Sequence, residues 1–92
     1  MKREDDYRLA AYLIREAAQQ LDLATNAIGR RTQDRRVIER RERLIIDLLR
    51  RTEIPETRIA KMLGMHRNSI QQIERRHFAR TGERVRAAHV RL

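Results

Sequence analysis

The sequence predicts an all-α fold of about four helices with a long N-terminal helix. Three observations lead there. Apolar residues recur at spacings of three and four, and no stretch sustains the apolar–polar alternation of a strand. The 92 residues contain only one Pro and three Gly. Each of those four stands where one periodic segment ends or another begins.

The first helix is predicted from about Glu4 to Ala27. Tyr7, Ala10, Ile14, Ala17, Leu21, Ala24 and Ile28 form one apolar stripe, which Ala11, Leu13 and Ala18 widen. At 1.5 Å per residue such a helix is roughly 35 Å long, more than a small core needs to cover. Its alanines would admit a partner helix at close range. Residues 1–28 therefore read as a dimerisation element with Tyr7, Ile14, Leu21 and Ile28 as the contact. The competing reading packs this helix wholly on its own domain. Gly29 is expected to end it in a left-handed cap.

An arginine-rich link over 30–36 leads to a second helix, capped by Asp34 and running to about Arg51. Val37, Ile38, Leu44, Ile45, Leu48 and Leu49 form its buried side, with Ile46 nearby. Glu39–Arg43 and Asp47–Arg51 are acid-then-base pairs four apart on its surface. Pro55 fits the first position of a third helix, which buries Ile59, Ala60, Met62 and Leu63 and stops at Gly64. A fourth helix begins near His66 or Arg67 and continues to about Arg80. Its Ile70, Ile73 and His77 face inward, with Phe78 at the edge, and Gly82 stops it. The domain of residues 34–81 is followed by a basic tail, 82–92. In that tail Val85, Ala88 and Leu92 suit either one or two further helical turns or a frayed end.

Charge narrows the function. The formal net charge is +9, carried by 20 Arg and 2 Lys. Residues 1–28 hold 4 basic and 5 acidic residues, net −1, and residues 29–92 hold 18 and 8, net +10. A basic body behind a near-neutral first segment gives that segment a separate task. Arginine's planar fork suits guanine edges and phosphates. The absence of cysteine leaves no disulfide framework or thiolate metal site. No apolar run approaches membrane-spanning length and no signal-peptide core precedes the first helix, so a cytoplasmic, nucleoid-associated protein is expected. Tyr7, Tyr12 and Phe78 are the only aromatics, too few for a single-strand stacking platform, which favours duplex binding.

The fourth helix carries the recognition chemistry. Arg67, Asn68, Gln71, Gln72 and Arg75 lie on the side away from Ile70 and Ile73. Arginine can pair bidentately with guanine, and asparagine or glutamine with adenine, in the major groove. Thr57, Arg58 and Lys61 on the third helix, with Ser69, Arg76 and Arg80, are placed for phosphate. His66 falls at the helix N-cap, where Ser is usual. No catalytic, metal or cofactor constellation is expected. His66, His77 and His89 are spaced by eleven and twelve, with no pair on one helix face at metal-ligand spacing. There is no Gly-rich phosphate loop and no nucleophile paired with a base.

Residues 56–75 resemble the bacterial helix-turn-helix motif. Ala60 stands at the small position where two helices cross, Gly64 at the turn, and Ile59, Ile70 and Ile73 at the positions that lock the second helix onto the first. Over about Arg41 to Arg80 the chain is also similar to sigma factor region 4, which reads the −35 promoter element. Leu63 to Arg76 carries the DNA-binding part of that resemblance, and Arg41-Glu42-Arg43-Leu44-Ile45-Ile46 the helix before it. Asn68 and Gln71 stand where many primary sigma factors have an acid and a base, which implies a different base preference. The resemblance implies the fold and docking mode and not sigma activity, because 92 residues leave no room for the other sigma regions.

The expected function is a bacterial or phage transcriptional regulator, not an enzyme. It would read double-stranded DNA as a homodimeric repressor on a two-fold operator. Two alternatives compete: a region-4-like protein acting through RNA polymerase, and a DNA packaging or recombination accessory protein.

Overall fold

The computed structural model describes residues 2–86. The fold is all-α. Helix α1 spans Lys2–Gln20, α2 Arg35–Arg51, α3 Glu56–Leu63 and α4 Arg67–Thr81, with one turn of 3-10 helix at Thr25–Ala27. Ala88 and Leu92, with the rest of 87–92, lie outside the described residues.

The long N-terminal helix stops seven residues before its expected end. Asp22 takes the left-handed conformation expected of Gly29, with φ 58°. The amide of Leu23 bonds Ala18 O at 2.8 Å and that of Asp22 bonds Gln19 O at 3.1 Å, the paired bonds of a Schellman cap. An aspartate accepts this conformation more readily than a branched residue does. At 19 residues the helix is about 28 Å long. The chain then turns through Thr25–Ala27 and inserts Ile28 into the core.

Gly29 has a packing task instead of a capping one. A Cβ at this position would lie 1.8 Å from the carbonyl oxygen of Leu63. The link between α1 and α2 therefore rests directly on the last residue of α3. Arg41 secures the link from α2, donating to Gly29 O at 3.2 Å and Arg30 O at 3.1 Å.

Helix α2 is the centre of the molecule. Its apolar face is broad, and α1 packs on one part of it while α3 and α4 pack on another. Leu44, Ile45, Leu48 and Leu49 are at most 1% exposed. Helices α1 and α2 run antiparallel: Arg40 Nε donates to Gln20 Oε1 at 2.6 Å near one end, and the amide of Glu53 donates to Asp6 Oδ2 at 2.9 Å near the other. The Asp34 side chain caps α2 by accepting from Arg36 N at 2.9 Å. Of the two expected surface pairs, Asp47 meets Arg50 rather than Arg51.

This arrangement uses much of the expected dimer seam inside the protomer. Ala10, Ile14 and Ala17 are buried against the chain's own core, as is Ile28, and Tyr7 and Leu21 pack on its edge. Ending α1 at Gln20 leaves Ala10, Ile14 and Ala17 against the core, and the turn that follows brings Ile28 back to it, with Ala24 left exposed. Of the four residues expected at the seam, Ile14 and Ile28 are buried within the protomer, while Tyr7 and Leu21 are half-buried.

Candidate nucleic-acid interface

Helices α3 and α4 are joined by Gly64, Met65 and His66. Pro55 is the N-cap of α3, one position earlier than expected, and its carbonyl accepts from both Arg58 N and Ile59 N at 3.0 Å. Gly64 closes α3 at φ 68°, and Met65 N reaches back to Ala60 O at 2.8 Å. His66 caps α4: its Nδ1 accepts from Asn68 N at 3.0 Å, so this nitrogen is unprotonated in the capped form. Ile59, Ala60, Leu63, Ile70 and Ile73 are buried between the two helices and α2, which fixes how α4 is presented.

The residues expected to read bases fall on one outward face. Arg67, Asn68, Gln72 and Arg75 are exposed and Gln71 is half-buried, all pointing away from Ile70 and Ile73. Thr57, Arg58 and Lys61 are exposed on α3. The other residues expected at phosphate divide. On a helix of 3.6 residues per turn, Ser69, Arg76 and Arg80 lie on the flank of α4 opposite Arg67, Gln71 and Phe78. Arg76 is engaged there by Glu42 of α2, at 2.6 Å. Arg80 borders a cleft with Arg43, Asp47 and His77. Ser69 is half-buried, and its amide bonds His66 O.

Glu74 is the only acidic residue on α4. It is half-buried and meets Glu56 from the first turn of α3. Burial, followed by the hydrogen bond to the Glu56 carboxyl and its charge, pushes the Glu74 pKa up to about 8, with Arg86 opposing. Near neutral pH the pair therefore holds a proton, and α4 faces outward with little negative charge of its own.

Sequence reasoning missed the structure after Gly82. Gly82 ends α4 at φ 78°, as expected. Glu83 then accepts from Arg50 Nη2 at 2.7 Å and Nε at 3.1 Å, and lies 2.6 Å from His77 Nε2. The Arg50 hydrogen bonds, with a lesser contribution from His77, hold the Glu83 carboxyl down at about 2. Arg86 is buried and donates from Nε to Leu49 O at 2.9 Å and from Nη2 to Thr52 O at 3.1 Å. It thereby satisfies carbonyls at the end of α2 that the helix itself leaves open. No local pattern announces the Arg50 and Arg86 contacts, because their partners are more than thirty residues away.

Among the described residues no group of three or more His, Cys, Asp or Glu side chains is placed to hold a metal ion. No described helix is long and apolar enough to cross a membrane. Compared with known proteins, the chain matches no family model, no curated protein and no solved structure.

Proposed function

We propose that the chain is a sequence-specific double-stranded DNA-binding transcriptional regulator, non-catalytic, with α4 entering the major groove. The observation that carries this reading is the row Arg67, Asn68, Gln72 and Arg75, exposed on a helix that Ile70 and Ile73 seat firmly. Hydrogen-bonding side chains projecting from a fixed helix suit base-edge readout. The basic residues 29–92 supply the attraction to phosphate that any duplex requires. The resemblance to helix-turn-helix regulators and sigma region 4 gives the same docking direction, with the α4 N-terminus foremost.

Repression by occupying an operator is part of the proposal, as is a homodimer on a two-fold site. One short helix reads few base pairs, and two copies about one DNA turn apart, ~34 Å, would double the contacts. The contact between copies would lie outside the stripe buried in the protomer core. Selection of bound duplexes from a random pool tests the whole reading. It should return one preferred sequence with two-fold symmetry. Recovery of no preferred sequence would sink specific recognition, and a single unsymmetrical site would sink the dimer. Deleting the gene should raise expression of a reporter placed behind the recovered site.

A further inference from the structure

We propose that the segment 83–86 is a second wall of the duplex-binding surface, with Arg84 as a fixed phosphate contact on the α3 side of the groove. This rests on the DNA-binding reading above and adds a residue to it.

The segment is anchored at both ends. Glu83 is tied to Arg50, Val85 packs against the core, and the buried Arg86 guanidinium is fastened to Leu49 O and Thr52 O. Arg84 lies between these anchors. Its guanidinium carbon sits 4.4 Å from the centroid of the Phe78 ring. Phe78 is 40% exposed, one of two large apolar side chains left at the described surface, and stacking an arginine on it gives that exposure a purpose.

Position and charge then decide what Arg84 can do. Phe78 shares its helix flank with Arg67 and Gln71, and Arg75, Phe78 and Arg84 line one cleft together with Glu56, Glu74 and Glu83; of these carboxyls Glu56 and Glu74 bond each other and Glu83 is taken up by Arg50. The later arginines of α4, Arg76 and Arg80, lie on the opposite flank. The α3 flank therefore has no α4 cation beyond Arg75, and Arg84 fills that position. Whereas Arg50 and Arg76 are engaged by Glu83 and Glu42, Arg84 makes no ion pair among the described residues. A guanidinium held in place, with its charge unspent, loses less freedom on meeting a phosphate than a loose one does. The distance along α4 also fits: Phe78 lies about 15 Å beyond Asn68, outside the roughly 12 Å major groove and level with a backbone.

The test is binding to a random-sequence duplex of about 20 base pairs, followed by fluorescence anisotropy as salt is varied. If Arg84 neutralises one phosphate, Arg84→Gln reduces the slope of log K against log salt by about 0.9. The same relation makes its affinity about eightfold weaker near 0.1 M salt, with the loss vanishing toward 1 M. Arg15→Gln removes the same charge from the exposed face of α1 and should leave the slope unchanged. Phe78→Leu should bind several-fold more weakly than the parent at the parent's slope. An Arg84→Gln slope equal to the parent's, an equal effect from Arg15→Gln, or undiminished binding by Phe78→Leu would overturn the inference while leaving the DNA-binding reading intact. Failure of the unaltered protein to bind duplex would overturn both.

Discussion

Gly29 lies so close to Leu63 that a Cβ on it would stand 1.8 Å from the Leu63 carbonyl oxygen and 2.8 Å from the carbonyl carbon. Both are backbone atoms, so relief requires moving the end of α3 or the link before α2. Forced overpacking costs roughly 1–3 kcal/mol and more when backbone must shift. Gly29→Ala is therefore expected to lose about 3 kcal/mol. Urea denaturation should show a large fall in midpoint with little change in slope. An unchanged midpoint would mean that this close approach does not hold in solution.

Gly29 also separates what could be read in the chain from what could not. Asp34, Gly64 and Gly82 mark helix boundaries through their own backbone and side-chain chemistry, and they lie where the sequence predicts. The core of α2 follows from its apolar spacing. Gly29 reads equally well as a helix cap and as a point of close packing, and only the position of Leu63 decides between them. The first helix is shorter than its apolar stripe implies for a related reason. An apolar stripe continues through Ala24 and Ile28 whether the chain stays helical or turns at Asp22 to bring Ile28 home. At the candidate site, helical spacing suffices to place Arg67, Asn68, Gln72 and Arg75 outward. It does not reveal that Arg76 is held by Glu42, or that Arg86 caps α2, because those partners lie 34 and 37 residues away.

Arg86 is expected to matter for stability as much as any core aliphatic. Replacing it with methionine keeps the apolar stem but deprives Leu49 O and Thr52 O of their donor. Each buried carbonyl so stranded costs about 1–3 kcal/mol. Arg86→Met should therefore destabilise the chain by about 2–4 kcal/mol in urea or thermal unfolding. Arg15→Met, on the exposed face of α1, provides the comparison for loss of charge alone. Equal effects from the two substitutions would show that the docked guanidinium contributes nothing beyond its charge.

The Glu56–Glu74 pair gives the protein a pH dependence of definite sign. The Glu74 pKa in the folded chain, about 8, lies above the ordinary carboxyl value of 4.5. Between these values the folded state binds more protons than the unfolded state, so this group's contribution to stability falls as pH rises. The contribution is fully present below about pH 4.5 and is lost by the time pH passes 8. Glu74→Gln keeps a neutral side chain at every pH. It should match the parent at pH 5 and exceed it at pH 8 in urea denaturation. Glu83 acts in the opposite sense at low pH: its contribution is present above about 4.5 and is lost as pH falls toward 2. A parent protein whose stability is flat from pH 5 to 8, with Glu74→Gln equally flat, would show that the two carboxyls do not share a proton.

Base reading and phosphate gripping leave different signatures, and Gln72 and Arg80 are the residues that separate them. Gln72 is exposed near the centre of the outward face, so its amide is free to bridge an adenine edge. A bidentate base contact contributes about 1–3 kcal/mol of discrimination, so Gln72→Ala should lower the specific-to-random affinity ratio by about tenfold or more. Binding to random duplex should be nearly unaffected. Arg80 lies on the flank beside α2, and a phosphate contact there carries no sequence information. Arg80→Ala should weaken both classes of site about equally and reduce the salt slope by about one. Parallel titrations of a selected site and a random duplex distinguish the two outcomes. If Gln72→Ala left the ratio untouched while Arg80→Ala changed it, the reading face would have to be turned toward the α2 flank, and Arg76 with its Glu42 partner would become the next residues to test.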